Sequence, residues 1–254
     1  MPFEKVTPEK LSSAVTRQIE LLILRGILRP GERLPSERDL AERLGVSRPS
    51  LREALSELQS KGLLQTRPGA GVFVADVLGN AFSPALIRLF SDHDEAVFDY
   101  VSFRRDLEGM AAERAARLAS DADLAVIQTA YDKMAAHDGR DAAEEARLDA
   151  GFHLSILEAS HNVVLLHMMR SMFDMLREGV FYNRQKMFLQ QTTRASLLDQ
   201  HRAINDALQA RAPEAARAAV EAHLSYVERA LRDQQLAERN AHIARQRLDH
   251  DSGR

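Results

Sequence analysis

At 254 residues the chain is long enough for two domains, and with 45% hydrophobic and 28% charged residues it has the balance of a protein that buries a core. It has no cysteine, which excludes disulfides and thiolate metal ligands, and no apolar run of roughly 18 residues or signal-peptide core, so a cytoplasmic location without membrane association is expected. The net charge of −3 opposes nucleic-acid binding only until it is divided: residues 1–75 hold 12 Lys/Arg against 9 Asp/Glu, the remainder 22 against 28.

Leu11, Val15, Ile19, Leu22 and Ile23 recur at helical spacing and predict a first helix over 8–25. Arg29-Pro30-Gly31 makes a turn. Ser36 with Asp39 has the form of a capping box for a short second helix carrying Leu40 and Leu44, which Gly45 stops. Ser47 is placed to cap a third helix bearing Leu51, Ala54, Leu55 and Leu58 and closing at Lys61-Gly62. Two β-like pieces, 63–66 and 72–74, flank a Pro/Gly turn and complete a winged helix-turn-helix over 1–75.

A linker is expected at 76–84, and everything beyond it reads as helix. The spans are 84–91, 94–119, 121–137, 141–160, 162–180, 193–210 and 213–236, with a polar connection over 183–191 and a charged frayed helix or disordered tail over 237–254. Leu107, Met110, Ala111 and Leu118 suggest one apolar face, and Phe152, Ile156, Leu157 and Ala159 another. Ser120 with Asp121 and Asp123, and Pro213 with Glu214, mark helix starts. The expected fold is mainly α: the winged head, then an all-α helical bundle over 85–236.

A helix that reads the major groove presents polar or basic residues at its N-terminal end. The third helix opens Ser47-Arg48-Pro49-Ser50-Leu51-Arg52, which puts Arg48 and Arg52 on one face, each able to pair bidentately with guanine. Ser47 and Ser50 can reach phosphate or base, Arg38 can hold the backbone, and Gly69 and Gly71 let the wing tip approach DNA. Taken singly, each arginine is more often a solvated face; their order along the chain makes the case.

In the second half, Asp149 and His153 lie one turn apart, and His201 and His223 sit on later helices among apolar neighbours. One carboxylate and three imidazoles form a candidate first shell for zinc or a similar divalent ion. The other histidines, His93, His137, His161, His167, His242 and His250, read as hydrogen-bonded core residues.

The run Leu28-Arg29-Pro30-Gly31-Glu32-Arg33-Leu34-Pro35-Ser36-Glu37-Arg38-Asp39-Leu40-Ala41, continued by Gly45-Val46-Ser47-Arg48-Pro49-Ser50-Leu51-Arg52-Glu53-Ala54-Leu55, closely resembles the DNA-binding domain of the GntR family of bacterial transcription regulators. The resemblance implies operator contacts by Arg38, Arg48, Ser50, Arg52 and Gly69, and a homodimer on a palindromic operator. From about 94 to 231 the chain resembles the all-helical FCD ligand-binding domain of the FadR subgroup. Asp149-Ala150-Gly151-Phe152-His153, His201 and His223-Leu224 match its metal-bearing members, which implies zinc, with nickel or manganese as alternatives. The segment 152–166 is similar to regulators that respond to lactate, pyruvate or glycolate. Arg104 matches an arginine facing the effector cavity, able to take a small carboxylate; Arg105 is its rival, and an i,i+4 surface pair with Glu108 is its alternative role.

The expectation is a metabolite-responsive repressor. Two others stand beside it: the same regulator with a metal-free site for an acyl thioester or sugar acid, and a metal-dependent hydrolase using the same four residues.

Overall fold

The computed structural model describes residues 10–76, 84–177 and 191–252. The chain divides into two compact units, Met1–Phe82 and Ser83–Arg254. Residues 77–83 of the expected linker, 183–190 of the polar connection and the first nine residues lie outside the described set.

The first unit holds α1 (Leu11–Leu24), α2 (Glu37–Leu44), α3 (Arg48–Ser60), β1 (Leu64–Arg67) and β2 (Gly71–Val74). The helical spacing of α1 and α3 does what it promises: Val15, Ile19 and Ile23 meet Leu51, Ala54, Leu55 and Leu58 in one buried cluster, closed by Leu34, Ala41, Leu64 and Val74. Ser36 Oγ accepts from Asp39 N–H (3.2 Å) at the start of α2. Gly45 ends that helix at φ +63°, a left-handed cap that other residues enter at a cost.

The wing is an antiparallel hairpin in which Leu64 faces Val74 and Arg67 faces Gly71. A third short piece joins it: Arg33 bridges Phe73, Leu34 N–H donates to Val72 O (2.9 Å) and Val74 N–H to Glu32 O (2.9 Å). The sequence reading placed no strand there. Its only periodic signal is two or three residues long, and the pairing is long-range, so local pattern could not reveal it.

The second unit is helical throughout its described residues: α4 (Pro84–Asp92), α5 (Asp94–Leu118), α6 (Asp121–Ala136), α7 (Ala142–Ala159), α8 (Val163–Arg177), α9 (Gln191–Gln209) and α10 (Pro213–Ser252). Ser120 and Asp123 form a reciprocal capping box at α6, as their spacing predicts. The core gathers α5 to α7 with α9 and α10 around Ile127, Phe152, Ile156, Ile204, Leu208, Val220 and Leu224.

Of the two alternatives for the tail, the helical one is present: the last helix runs past 236 to Ser252, in a stretch with no glycine or proline and with an i,i+4 bond from Gln234 to Glu238 (3.0 Å). The face read for α5 holds only in part: Ala111 is buried and Leu107 half-buried, but Met110 and Leu118 are exposed. The inward line runs through Val97, Val101, Arg104, Glu108, Ala111 and Ala115, in alternating three- and four-residue steps with two charges in it. Burying that charged pair is what sets up the site.

Candidate metal centre and nucleic-acid interface

Asp149 and His153 lie on the inner face of α7, one turn apart, and α9 and α10 bring His201 and His223 against them. Asp149 is 3% exposed and the three imidazoles 1% each. One ligand atom from each of the four residues lies within 4.8 Å of every other. His201 Nε2 is 3.1 Å from Asp149 Oδ1 and 3.3 Å from His153 Nε2, and His153 Nε2 is 3.8 Å from that same carboxylate oxygen. Donors around a tetrahedral ion with bonds of about 2.1 Å stand about 3.4 Å apart, so these spacings suit one small cation.

Proton accounting points the same way. His153 Nδ1 lies 2.6 Å from Glu108 Oε2, and His223 Nδ1 lies 3.0 Å from Gln200 Oε1. Each acceptor favours the proton on Nδ1 and leaves the Nε2 lone pair turned away from it. A proton on His201 Nε2 can serve only one of its two neighbours at a time; a cation serves all of them.

Burial pushes the His153 imidazole below its ordinary range, although Glu108 and Asp149 act against that. Burial also pushes His223 well down, helped by the charges of His201 and His153. Both are therefore neutral near pH 7, the form a metal donor needs. A depressed folded-state histidine contributes stability that is complete above about pH 6.5 and is lost as pH falls through its folded value, because the unfolded chain takes the proton first. The Tm of chelator-treated protein is thus expected to fall steadily from pH 7 to pH 5; a flat profile would contradict the buried neutral assignment.

Beside the four candidate ligands, α5 contributes Arg104 and Glu108, whose burial leaves 0% and 3% of them exposed. Arg104 Nε donates to Glu108 Oε1 at 2.6 Å. The ion pair read from the sequence is present, but it is interior, not superficial. Its neighbour Arg105 turns the other way, to Glu228 (2.9 Å) and Ser102 (3.1 Å), so Arg104 is the arginine that faces the centre. Phe173 lies beside both groups, with its ring 5.0 Å from the Arg104 guanidinium carbon and 6.4 Å from the His153 ring. Burial alone would raise the Glu108 carboxyl, but Arg104 and then His153 outweigh it and hold the group at about 2.

Glu108 is the site residue that sequence reasoning missed as part of the centre. Its signal, an acid four residues after an arginine, is the same one that marks an exposed helix pair. The six histidines read as core residues are corrected too. His93, His161, His242 and His250 are exposed, His161 pairing with Asp123 (3.1 Å), and His137 and His167 are half-buried. Each lies at a helix end or on an outward face.

In the first unit, Ser47 Oγ accepts from Ser50 N–H (3.3 Å) and shares a hydrogen bond with Ser50 Oγ (2.9 Å), so both serines take part in the cap of α3. Arg48 and Arg52 are largely exposed and share Glu37 of α2: Arg52 Nε donates to its carboxylate at 2.7 Å and Arg48 Nη2 stands 3.8 Å from it. Arg38 is solvent-facing, with Asp39 3.5 Å away. Gly69 sits at the wing tip with φ +73° and open space where a side chain would be. Glu37 was not singled out in the sequence, since its link to Arg52 spans fifteen residues.

A winged helix-turn-helix joined to a helical domain with a buried Asp/His cluster defines a class of bacterial transcription regulator. Residues 11–74 match the gntR family of bacterial regulatory proteins and residues 99–226 match the FCD domain; the chain belongs to the GntR family and carries an FCD domain. It is 41% identical over 227 residues to a protein of Escherichia coli (strain K12) described as an L-lactate dehydrogenase operon regulatory protein, covering 87% of this chain and 86% of that one. It is 36% identical over 230 residues to the Glc operon transcriptional activator of the same organism, covering 89% and 91%. The transcriptional regulator LutR of Bacillus subtilis (strain 168) is 34% identical over 208 residues, covering 82% and 94%. Among solved structures, a GntR protein of Streptococcus agalactiae matches 86% of this chain and 99% of its own with a TM-score of 0.55 at 25% identity. These relatives are regulators, which sets aside the hydrolase expectation. Among the described residues no helix is long and apolar enough to cross a membrane.

Proposed function

We propose that this regulator is a homodimeric repressor that senses a small monocarboxylate, of the lactate, pyruvate or glycolate kind, at a divalent metal centre. Asp149, His153, His201 and His223 hold the ion, with zinc favoured over nickel or manganese for an all-N/O set of this size. The ion supplies a Lewis-acidic anchor for carboxylate oxygens; Arg104 supplies the second, charged anchor. Arg48 and Arg52 read bases, Arg38, Ser47 and Ser50 meet the sugar-phosphate side, and Gly69 lets the wing tip close on a palindromic operator in the cytoplasm.

The observation that carries the effector class is the charge of the described residues at the buried site. Arg104 and Glu108 cancel each other. Among the described residues, a divalent ion with Asp149 would leave one positive charge for one carboxylate to neutralise, whereas a dicarboxylate would bury net negative charge at a cost. The relatives whose names refer to lactate and Glc operons support the same class. A switch further requires that the effector bind the DNA-competent and DNA-free arrangements with different affinity.

The test is a thermal-shift screen of mono- and dicarboxylates with and without chelator. An effector at a hundred times its Kd stabilises by ~2.7 kcal/mol, a Tm rise of several degrees. Hits confined to monocarboxylates and lost on chelation are expected. Hits that survive chelation would leave the metal without a sensing role.

A further inference from the structure

Glu108 does more than neutralise Arg104. Its two carboxylate oxygens are divided between two partners on different helices: Oε1 accepts from Arg104 Nε and Oε2 stands 2.6 Å from His153 Nδ1. All three side chains are buried, so neither partner has water as a substitute. The geometry points to Glu108 as the positioning residue that couples the carboxylate anchor to the metal: it fixes His153 as the Nδ1–H tautomer, aims the Nε2 lone pair at Asp149 and His201, and holds Arg104 in register with that ligand.

The chemistry of the bridge makes the coupling two-way. With a cation held at His153 Nε2, the Nδ1–H would become more acidic and its 2.6 Å contact with Glu108 Oε2 would tighten. An anion on Arg104 competes with Glu108 for the guanidinium and leaves Oε2 a better acceptor for His153. Metal and carboxylate therefore each tighten the other's binding, by the same factor, through one side chain. This inference rests on the metal-centred reading above.

Glu108→Gln tests it. The two partners address different oxygens of Glu108, and an amide replaces one of them with an NH2 donor, so it keeps Arg104 or His153 Nδ1–H but not both. Three readouts on the purified full chain apply. Zinc affinity, measured by competition with a chromophoric chelator, is expected to fall 10–100-fold. In wild type, lactate is expected to tighten zinc binding and zinc to tighten lactate binding by equal factors, and this reciprocity should vanish in Glu108→Gln. In the metal-free protein, the imidazole ¹⁵N shifts of His153 should report the Nδ1–H tautomer in wild type and its loss in the variant. Zinc affinity and reciprocity unchanged in Glu108→Gln overturn the inference while leaving the metal centre standing. A wild-type chain that binds no zinc overturns both readings. If the variant does not fold, the wild-type spectrum still decides: an Nε2–H tautomer at His153 overturns the inference.

Discussion

Zinc content is expected to fall from about one ion per chain to near zero in His153→Ala/His201→Ala, because only Asp149 and His223 of the four donors then remain. If four donors together supply ~10–16 kcal/mol, losing two leaves on the order of 5–8 kcal/mol, a Kd of about a micromolar or weaker, too weak to keep the ion through desalting. Elemental analysis after desalting reads this directly. The double variant should also lose the rise in Tm that zinc gives the wild type, since a ligand stabilises only a fold that binds it. The cluster lies on three helices, α7, α9 and α10, and a cation there ties them together. A double variant carrying the wild-type amount of zinc would show that the ion sits elsewhere.

The second large effect is at the reading helix. Arg48→Ala and Arg52→Ala are each expected to lose ~1–3 kcal/mol at the operator, roughly 5- to 150-fold, and much less on non-specific DNA. Both side chains are exposed at the first turn of α3 and neither contributes to the hydrophobic cluster beneath it, so the fold should be unchanged. Arg38→Ala should instead weaken all sequences alike and reduce the salt dependence by about one counterion. Footprinting and salt titration separate the two behaviours. A variant lacking Arg52 that protects the same operator as strongly as wild type would remove α3 from the role of reader.

These expectations were unequally legible in the sequence. The caps at Ser36, Ser47 and Ser120 and the stops at Gly45 and Gly62 are local devices, written in three or four neighbouring residues, and the helices begin and end where they say. The convergence of Asp149, His153, His201 and His223 is not local: only the Asp149/His153 pair follows from helix periodicity, and a family resemblance had to join the other two. The inward face of α5 was misread because leucine and methionine at helical spacing usually mark the core; here Met110 and Leu118 face out while Arg104 and Glu108 face in. A buried charge pair contradicts the hydrophobic pattern, and functional sites are where such contradictions are expected. The β-bridge at Arg33 is not legible, and the sequence leaves the helix over 237–252 open against disorder, for opposite reasons. One is too brief to carry a period; the other keeps helix-forming composition without an apolar face.

The single carboxylate of Glu37, shared by Arg48 and Arg52, bears on how quickly the regulator finds its site. An exposed pair of this kind is worth no more than about 1 kcal/mol, so giving it up for a guanine costs little. On the proposed reading of α3, a wrong sequence would not repay even that, and the Glu37 carboxylate would stay with the two guanidiniums and repel nearby phosphates. The head would then leave mismatched positions quickly, and one acidic side chain would trade a little affinity for a faster search along DNA.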